Sequence, residues 1–183
     1  MDMEAQKKNF ENHVATFKDL GCIKILDFKN PESNNYSIRF LFDEENYQLH
    51  ITGDLGELIA TNKSNMTFNK FYEFINNVAY FRSKINCHSR ALWEYDCDKA
   101  EERVLEILQE DPVFVSDDYD TVYDAAEDIL DGFDIYKGIS NRGYEILSDF
   151  DNDCWEYVDE IGKVSSGVIE LYLLAFKLAS DQL

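Results

Sequence analysis

The chain reads as an α+β protein: an N-terminal helix, a four-stranded antiparallel meander, then a mainly helical acidic half. Three observations predict this. The apolar period is about 3.6 residues at the N-terminus, shifts to about 2 between residues 23 and 61, and returns to the helical value from Thr67 onward. Turn residues punctuate the middle stretch at short intervals. Charge is divided as well: residues 94–160 hold 23 Asp and Glu against 4 Lys and Arg, whereas residues 1–93 hold 12 acids and 11 bases.

The elements follow in order. Phe10, Val14 and Phe17 recur at helical spacing and predict a helix over Met3 to Leu20, stopped by Gly21. Ile23, Ile25 and Asp27 then alternate with Lys24, Leu26 and Phe28, a first strand. Asn30-Pro31-Glu32-Ser33-Asn34 is turn chemistry, and Tyr36 to Phe42 is a second strand. Asp43 to Asn46 turns the chain into a third strand, Tyr47 to Ile51. Gly53-Asp54-Leu55-Gly56 bends it tightly before a short fourth strand, Glu57 to Thr61. Strands joined by such short connections pair antiparallel.

From Thr67 the spacing of Phe68, Phe71, Tyr72, Ile75, Val78 and Ala79 predicts one helix. Asp96 or Asp98 caps another that runs to Glu110 with Ala100, Val104, Ile107 and Leu108 inward; Asp111-Pro112 ends it. Ser116 or Asp117 caps the next, whose apolar face is Tyr119, Val122, Tyr123, Ala126, Ile129 and Leu130, with Gly132 as its stop. Asn141-Arg142-Gly143 opens a helix through Phe150. Val164, Val168, Leu171, Tyr172, Ala175, Phe176 and Leu178 mark the last. The division is residues 1–90, an α/β meander region, and 91–183, an acidic helical region, as two domains or one continuous one.

Composition narrows the class. With 45% hydrophobic residues the chain is too apolar for a disordered acidic tail, and 2 prolines argue against long linkers. No apolar run approaches the roughly 20 residues that span a bilayer, and MDMEAQKKNF lacks a signal-peptide core. Cys22, Cys87, Cys97 and Cys154 are widely spaced, which predicts free, reduced thiols in a cytoplasmic protein. Direct binding of DNA and of anionic membrane is disfavoured, because phosphates would meet a wall of carboxylates.

The acids are patterned. Glu94, Asp98, Glu102, Glu106 and Glu110 recur at i+4; Asp117, Asp120, Asp124, Asp128 and Asp131 at i+3 and i+4; Glu145, Asp149, Asp153, Glu156 and Glu160 likewise. On a helix such residues share a face, with neighbouring Cβ atoms about 5–6 Å apart. Like charges so placed disfavour the helix by a few tenths of a kcal/mol per pair, and few bases relieve them. Against the plain reading of a solvated face, three stripes in one block predict a preformed polyanionic surface for a basic cleft. The partner-binding residues are then Glu102, Glu106, Glu110, Asp117, Asp120, Asp124, Asp128, Asp131, Asp149, Asp153 and Glu156.

His50-Ile51-Thr52-Gly53-Asp54-Leu55-Gly56-Glu57, followed by Tyr80-Phe81-Arg82-Ser83-Lys84, resembles a family of small phage and mobile-element proteins of Gram-positive bacteria. The likeness covers about the first half of the chain. Some proteins of this kind are anti-CRISPR inhibitors of the type II RNA-guided nuclease, which holds its guide–target heteroduplex in a positively charged channel. The resemblance implies a non-catalytic inhibitor of that nuclease or of its guide-RNA complex, with no cofactor. It carries over no catalytic residues.

Other motifs favour structural readings. Gly53 to Gly56 lacks the Lys-Ser/Thr of a P-loop and the third glycine of a dinucleotide fingerprint, so it reads as a turn, with Asp54 and Glu57 available to a partner if the turn is exposed. Asp149, Asp151, Asp153 and Glu160 match calcium-loop positions, but Cys154 stands where glycine is required. Cys87, His88 and Cys97 lack zinc-site spacing; Cys22, Cys87 and Cys154 read as small core residues, and His13, His50 and His88 as surface or partly buried. Lys7, Lys8, Lys18, Lys24 and Lys29 read as a balanced surface, and Trp93 and Trp155, which flank acidic runs, as core, with interface anchors as the alternative. No nucleophile–base arrangement stands out. The alternative class is an acidic metal-dependent enzyme or a calcium-binding protein, or an inhibitor of another basic nuclease.

Overall fold

The computed structural model describes residues 3–110 and 119–183. The protein is α+β and divides into two compact units: Met1–Leu92 with Gly167–Leu183, and Trp93–Ser166. The final helix thus belongs with the sheet, although the sequence groups it with the acidic helices.

The first unit begins with α1 (Met3–Lys7) and a 3-10 turn. Six antiparallel strands then pair in chain order: β1 (Val14–Asp19), β2 (Ile23–Lys29), β3 (Ile38–Asp43), β4 (Gln48–Gly53), β5 (Leu58–Thr61) and β6 (Ile85–His88). The expected meander of four strands is β2 to β5, and one strand is added at each edge. The expected helix over Met3 to Leu20 stops early, because Val14 to Asp19 is β1. Val14 and Phe17 fit both periods, but β-branched Val14 and Thr16 face outward while Ala15 and Phe17 turn inward in a ladder running from Val14↔Lys29 to Asp19↔Lys24. Gly21 closes the β1–β2 hairpin, where Leu20 N–H donates to the Ile23 carbonyl at 2.9 Å.

Alternation builds the core face. Leu26, Phe28, Ile38, Phe40, Phe42, Leu49, Ile51, Leu58 and Ala60 are all buried, one residue in two along four strands. Over them lies α7 (Val168–Ser180), apolar nearly all round, as suits a helix buried on most sides. Its Phe176 ring meets Phe40 at 5.5 Å and Phe71 at 4.7 Å, edge to face. Burying each such ring stabilises the unit by about 1.5–3 kcal/mol. The single helix expected from Thr67 is instead a 3-10 turn, α2 (Tyr72–Ile75) and α3 (Val78–Arg82). The break falls at Asn76-Asn77, where the Asn77 side chain caps α3 by accepting from Tyr80 N–H at 3.0 Å.

In the second unit β7 (Trp93–Tyr95) pairs antiparallel with β8 (Lys163–Ser165). Between them run α4 (Cys97–Glu110), α5 (Val122–Leu130) and α6 (Asn141–Phe150). Their core is Ala100, Val104, Leu108, Ala125, Ala126, Ile129, Leu147, Cys154 and Ile161. Asp96 caps α4, accepting from Lys99 N–H at 3.0 Å. Val164, expected in the last helix, lies in β8. Thr121 caps α5, accepting from Asp124 N–H at 3.2 Å; the expected caps Ser116 and Asp117 lie outside the described residues. Among the described residues no helix is long and apolar enough to cross a membrane.

Several side chains depart from expectation. Trp93 and Trp155 are 39% and 62% exposed, not core; Trp93 lies under the Lys163 ammonium, 5.3 Å from its ring. Tyr123 is exposed rather than on the apolar face of α5. Cys22 and Cys87 are exposed thiols, whereas Cys154 is buried as expected. His13 is buried beside Phe10 and Phe28, and its Nε2 meets the Tyr36 carbonyl at 3.2 Å.

Candidate acidic interface

The clearest carboxylate row is on α4. Ala100, Val104 and Leu108 are buried, and Glu102, Glu106 and Glu110 each stand two residues further on, about 200° around the helix. The three therefore project directly away from the core and are exposed. Successive carboxylates climb about 6 Å along the axis. Asp98, also exposed, extends the row by one turn. Glu94 does not, because it lies in β7. One base lies beside the row: Arg103 donates to Glu106 at 2.9 Å, both groups half in solvent, so little stability comes from the pair.

The second stripe is shorter than its spacing predicts. Only Asp124 and Asp128 lie within α5; Asp120 precedes its cap, Asp131 follows its last turn, and Asp117 lies outside the described residues. Asp124 accepts from the Thr121 hydroxyl at 2.7 Å while Thr121 accepts from Asp124 N–H, a reciprocal cap. Asp128 is half-buried and takes Arg142 Nη2 at 2.5 Å and the Tyr119 hydroxyl at 2.9 Å. The Arg142 guanidinium, with the Tyr119 hydroxyl, holds its carboxyl below the usual carboxylate range. Asp128 is therefore partly neutralised within the unit, and Asp120, Asp124 and Asp131 are the exposed members.

The third stripe bends. Glu145 and Asp149 belong to α6, which ends at Phe150; Glu156 and Glu160 sit on two 3-10 turns, and Asp153 immediately precedes the first. Asp151 causes the break, since its carboxylate accepts from Asp153 N–H at 2.8 Å and from the Tyr157 hydroxyl at 3.1 Å. The Tyr157 hydroxyl is pushed up in pKa by burial and by this bond. Asp149, Asp153 and Glu156 are all exposed.

Two acids that the stripes omit belong to the same surface. An open depression of about 830 Å³ between α4 and α5 is lined by Glu101 and Glu127 together with Asp124, Asp128 and Asp131, and by the rings of Tyr119 and Tyr123. Glu101 and Glu127 fall between the i+4 rows in sequence, so only the packing of the two helices brings them in. Single-helix periodicity carries no such signal. The exposed apolar side chains Tyr123, Ile135, Tyr136, Tyr144 and Trp155 were also illegible, because an isolated aromatic in a sequence reads first as core.

The remaining motifs have local explanations. In the bend before β5, Asp54 accepts from Tyr36 N–H at 2.8 Å and its own N–H donates to the Ser37 carbonyl at 2.9 Å. Leu55 offers its carbonyl to the buried Tyr172 hydroxyl at 2.9 Å, while Glu57 N–H donates to the Ser89 hydroxyl at 2.7 Å and the Glu57 carbonyl accepts from Ser89 N–H at 2.9 Å. Asp54 thus pins the bend, and it and Glu57 are both exposed, as a role toward a partner would require. The would-be calcium ligand Asp151 is spent on Asp153 and Tyr157. Among the described residues no three or more His, Cys, Asp or Glu converge to hold a metal ion. His88 Nδ1 meets the Arg90 carbonyl at 2.8 Å, and Cys87 and Cys97 lie in different units. Compared with protein-family models, curated proteins and solved structures, the chain finds no match.

Proposed function

We propose that the protein is a non-catalytic, acidic inhibitor of the anti-CRISPR kind, which binds a type II RNA-guided nuclease and blocks DNA cleavage. The observation that carries this reading is the segregation of charge into one folded unit. Residues 93–166 hold 23 acids and 5 bases. Among the described residues, the carboxylates of α4 and α5 stand on helices packed on a separate core. Like charges on one compact body repel, at a cost to stability that balanced substitution would remove. A surface retained at that cost suits a partner that is strongly positive. The resemblance of residues 49–89 to mobile-element proteins supports the choice of the nuclease, whose heteroduplex channel is basic. The carboxylates on α4, with Asp120, Asp124 and Asp131, would face that channel, steering encounter and specificity more than setting residence. The host cytoplasm is where that partner works.

The test is cleavage of target DNA by the nuclease–guide complex, with and without the protein, at two salt concentrations. Inhibition that weakens steeply with salt and needs no added metal is expected. The triple variant E102K/E106K/E110K should lose most of it while keeping its circular dichroism. A protein that neither binds nor inhibits nucleases from plausible hosts would end this assignment. Inhibition untouched by the triple variant would remove the α4 face from the mechanism.

A further inference from the structure

The turn Asp134–Gly138, in the acidic unit, displays two adjacent apolar side chains: Ile135 is 54% exposed and Tyr136 71%. Isolated exposed apolar residues are common and need no explanation. This pair differs because the turn beneath it is fully built. Asp134 N–H donates to the Gly138 carbonyl at 3.0 Å, and Gly138 N–H returns to the Asp134 carbonyl at 2.7 Å. Lys137 N–H donates to that same carbonyl at 3.1 Å, and the Asp134 carboxylate accepts from Tyr136 N–H at 2.8 Å. The Ile135 carbonyl accepts from Tyr95 N–H at 2.9 Å, which ties the tip to the edge of β7. On either side Phe133 and Ile139 pack into the unit's core. Gly138 has φ +76 and lies against the Tyr95 ring, so that a Cβ there would stand 2.8 Å from Tyr95 Cε1. Nothing in this backbone needs to be ordered when the tip is covered.

We infer that Ile135 and Tyr136 form a preorganised anchor that inserts into an apolar cleft on a basic protein surface. The inference rests on the function proposed above and adds what charge alone does not supply. Carboxylates act mainly on encounter, and their effect is screened by salt. Residence depends on desolvated anchors, among which tyrosine is enriched, and a rigid anchor loses little entropy on binding. Charge complementarity fixes the kind of occupant. The tip belongs to a unit of 23 acids and 5 bases, so a nucleic acid or an anionic lipid surface would be repelled, and so would a second copy of this unit.

The experiment measures association and dissociation rates of the parent, Tyr136→Ala, Ile135→Ala with Tyr136→Ala, and Gly138→Ala against an immobilised type II nuclease–guide complex. The double variant should dissociate at least about tenfold faster, with association changed by less than about twofold. Its dependence on salt should match the parent's. Gly138→Ala keeps both anchors but spoils the turn, and it should also dissociate faster. Circular dichroism and melting temperature report the fold; the exposed Tyr136 makes its single variant the safest to interpret. A folded Tyr136→Ala that dissociates like the parent overturns the anchor and leaves the proposed function standing. A parent that binds no such complex overturns both. A parent that sediments as a dimer, dissolved by Tyr136→Ala, makes a second copy the occupant and overturns the inference as stated.

Discussion

At Gly53 the backbone runs at φ +146, and a Cβ built there would stand 2.0 Å from the Ser37 carbonyl oxygen. Both the dihedral and the contact exclude a side chain. Gly53→Ala should therefore cost about 2–4 kcal/mol, read as a lower urea midpoint with unchanged slope. A cost below the scatter of the measurement would mean that the bend relaxes freely. Thiol chemistry separates the cysteines as cleanly. Cys22, Cys87 and Cys97 are exposed, and Cys154 is 1% exposed with its thiol pKa pushed up by burial. Mass spectrometry after brief exposure to a thiol reagent should find three labelled cysteines, with Cys154 reacting only as the unit opens. Asp128 gives the pH dependence. Its folded pKa lies below the unfolded value of about 4, so the pair with Arg142 contributes fully at neutral pH. That contribution is lost as pH falls through the folded pKa. Arg142→Gln should move the Asp128 carboxyl titration upward, as followed by NMR, and an unmoved titration would show that the Arg142 bond does not form in solution.

At the scale of elements, the packing of α6 on α5 depends on one missing side chain. A Cβ at Gly143 would lie 2.1 Å from the Ile129 carbonyl oxygen, inside the helix pair rather than at its edge. Gly143→Ala raises helix propensity but forces the axes apart, and overpacking of this kind costs about 1–3 kcal/mol. Amide exchange in α5 and α6 should accelerate while exchange in β2 to β4 stays unchanged; protection that is equal or better in the variant would refute the close approach. The same pair shows what sequence could carry. Asn141-Arg142-Gly143 announced α6 as a helical opening, although its cap, the Ser140 hydroxyl accepting from Gly143 N–H at 3.1 Å, was not read; the inward rows of α4 were plain because three apolar residues recur at i+4. The edge strands β1 and β6 were not. β1 shares Val14 and Phe17 with a helical pattern, and β6 is four residues with a ladder that shifts between Ile59 and Ala60, so neither has a period long enough to compete. The second and third acidic stripes broke in a similar way, while the α4 row held from Asp98 to Glu110. Charges follow spacing only while the helix continues, and the cap at Thr121 and the Asp151 turn end it, facts set by side-chain hydrogen bonds rather than by periodicity.

For the whole molecule, the division of charge has a consequence that needs no partner. The first unit, residues 1–92 and 167–183, carries nearly balanced charge, 14 acids and 12 bases, and residues 93–166 carry 23 and 5. Repulsion among exposed like charges opposes folding of the second unit, and salt screens it over about 10 Å at 0.1 M. Nothing comparable acts on the sheet, where Lys24 meets Asp19 at 2.5 Å and Arg39 meets Asp27 at 2.6 Å, pairs that salt weakens slightly. The two units should thus respond to salt in opposite senses. Raising sodium chloride from about 20 to about 500 mM should slow amide exchange in α4 and α5 by several-fold, through a larger opening free energy. Exchange in β2 to β4 should stay level or quicken slightly. The comparison is internal, since both sets of amides are read in one sample, so a general effect of salt on exchange chemistry would move them together. Equal changes in the two units would mean that the carboxylates are far enough apart to be solvated independently. The polyanionic surface would then cost the fold nothing, and its retention would no longer require a basic partner.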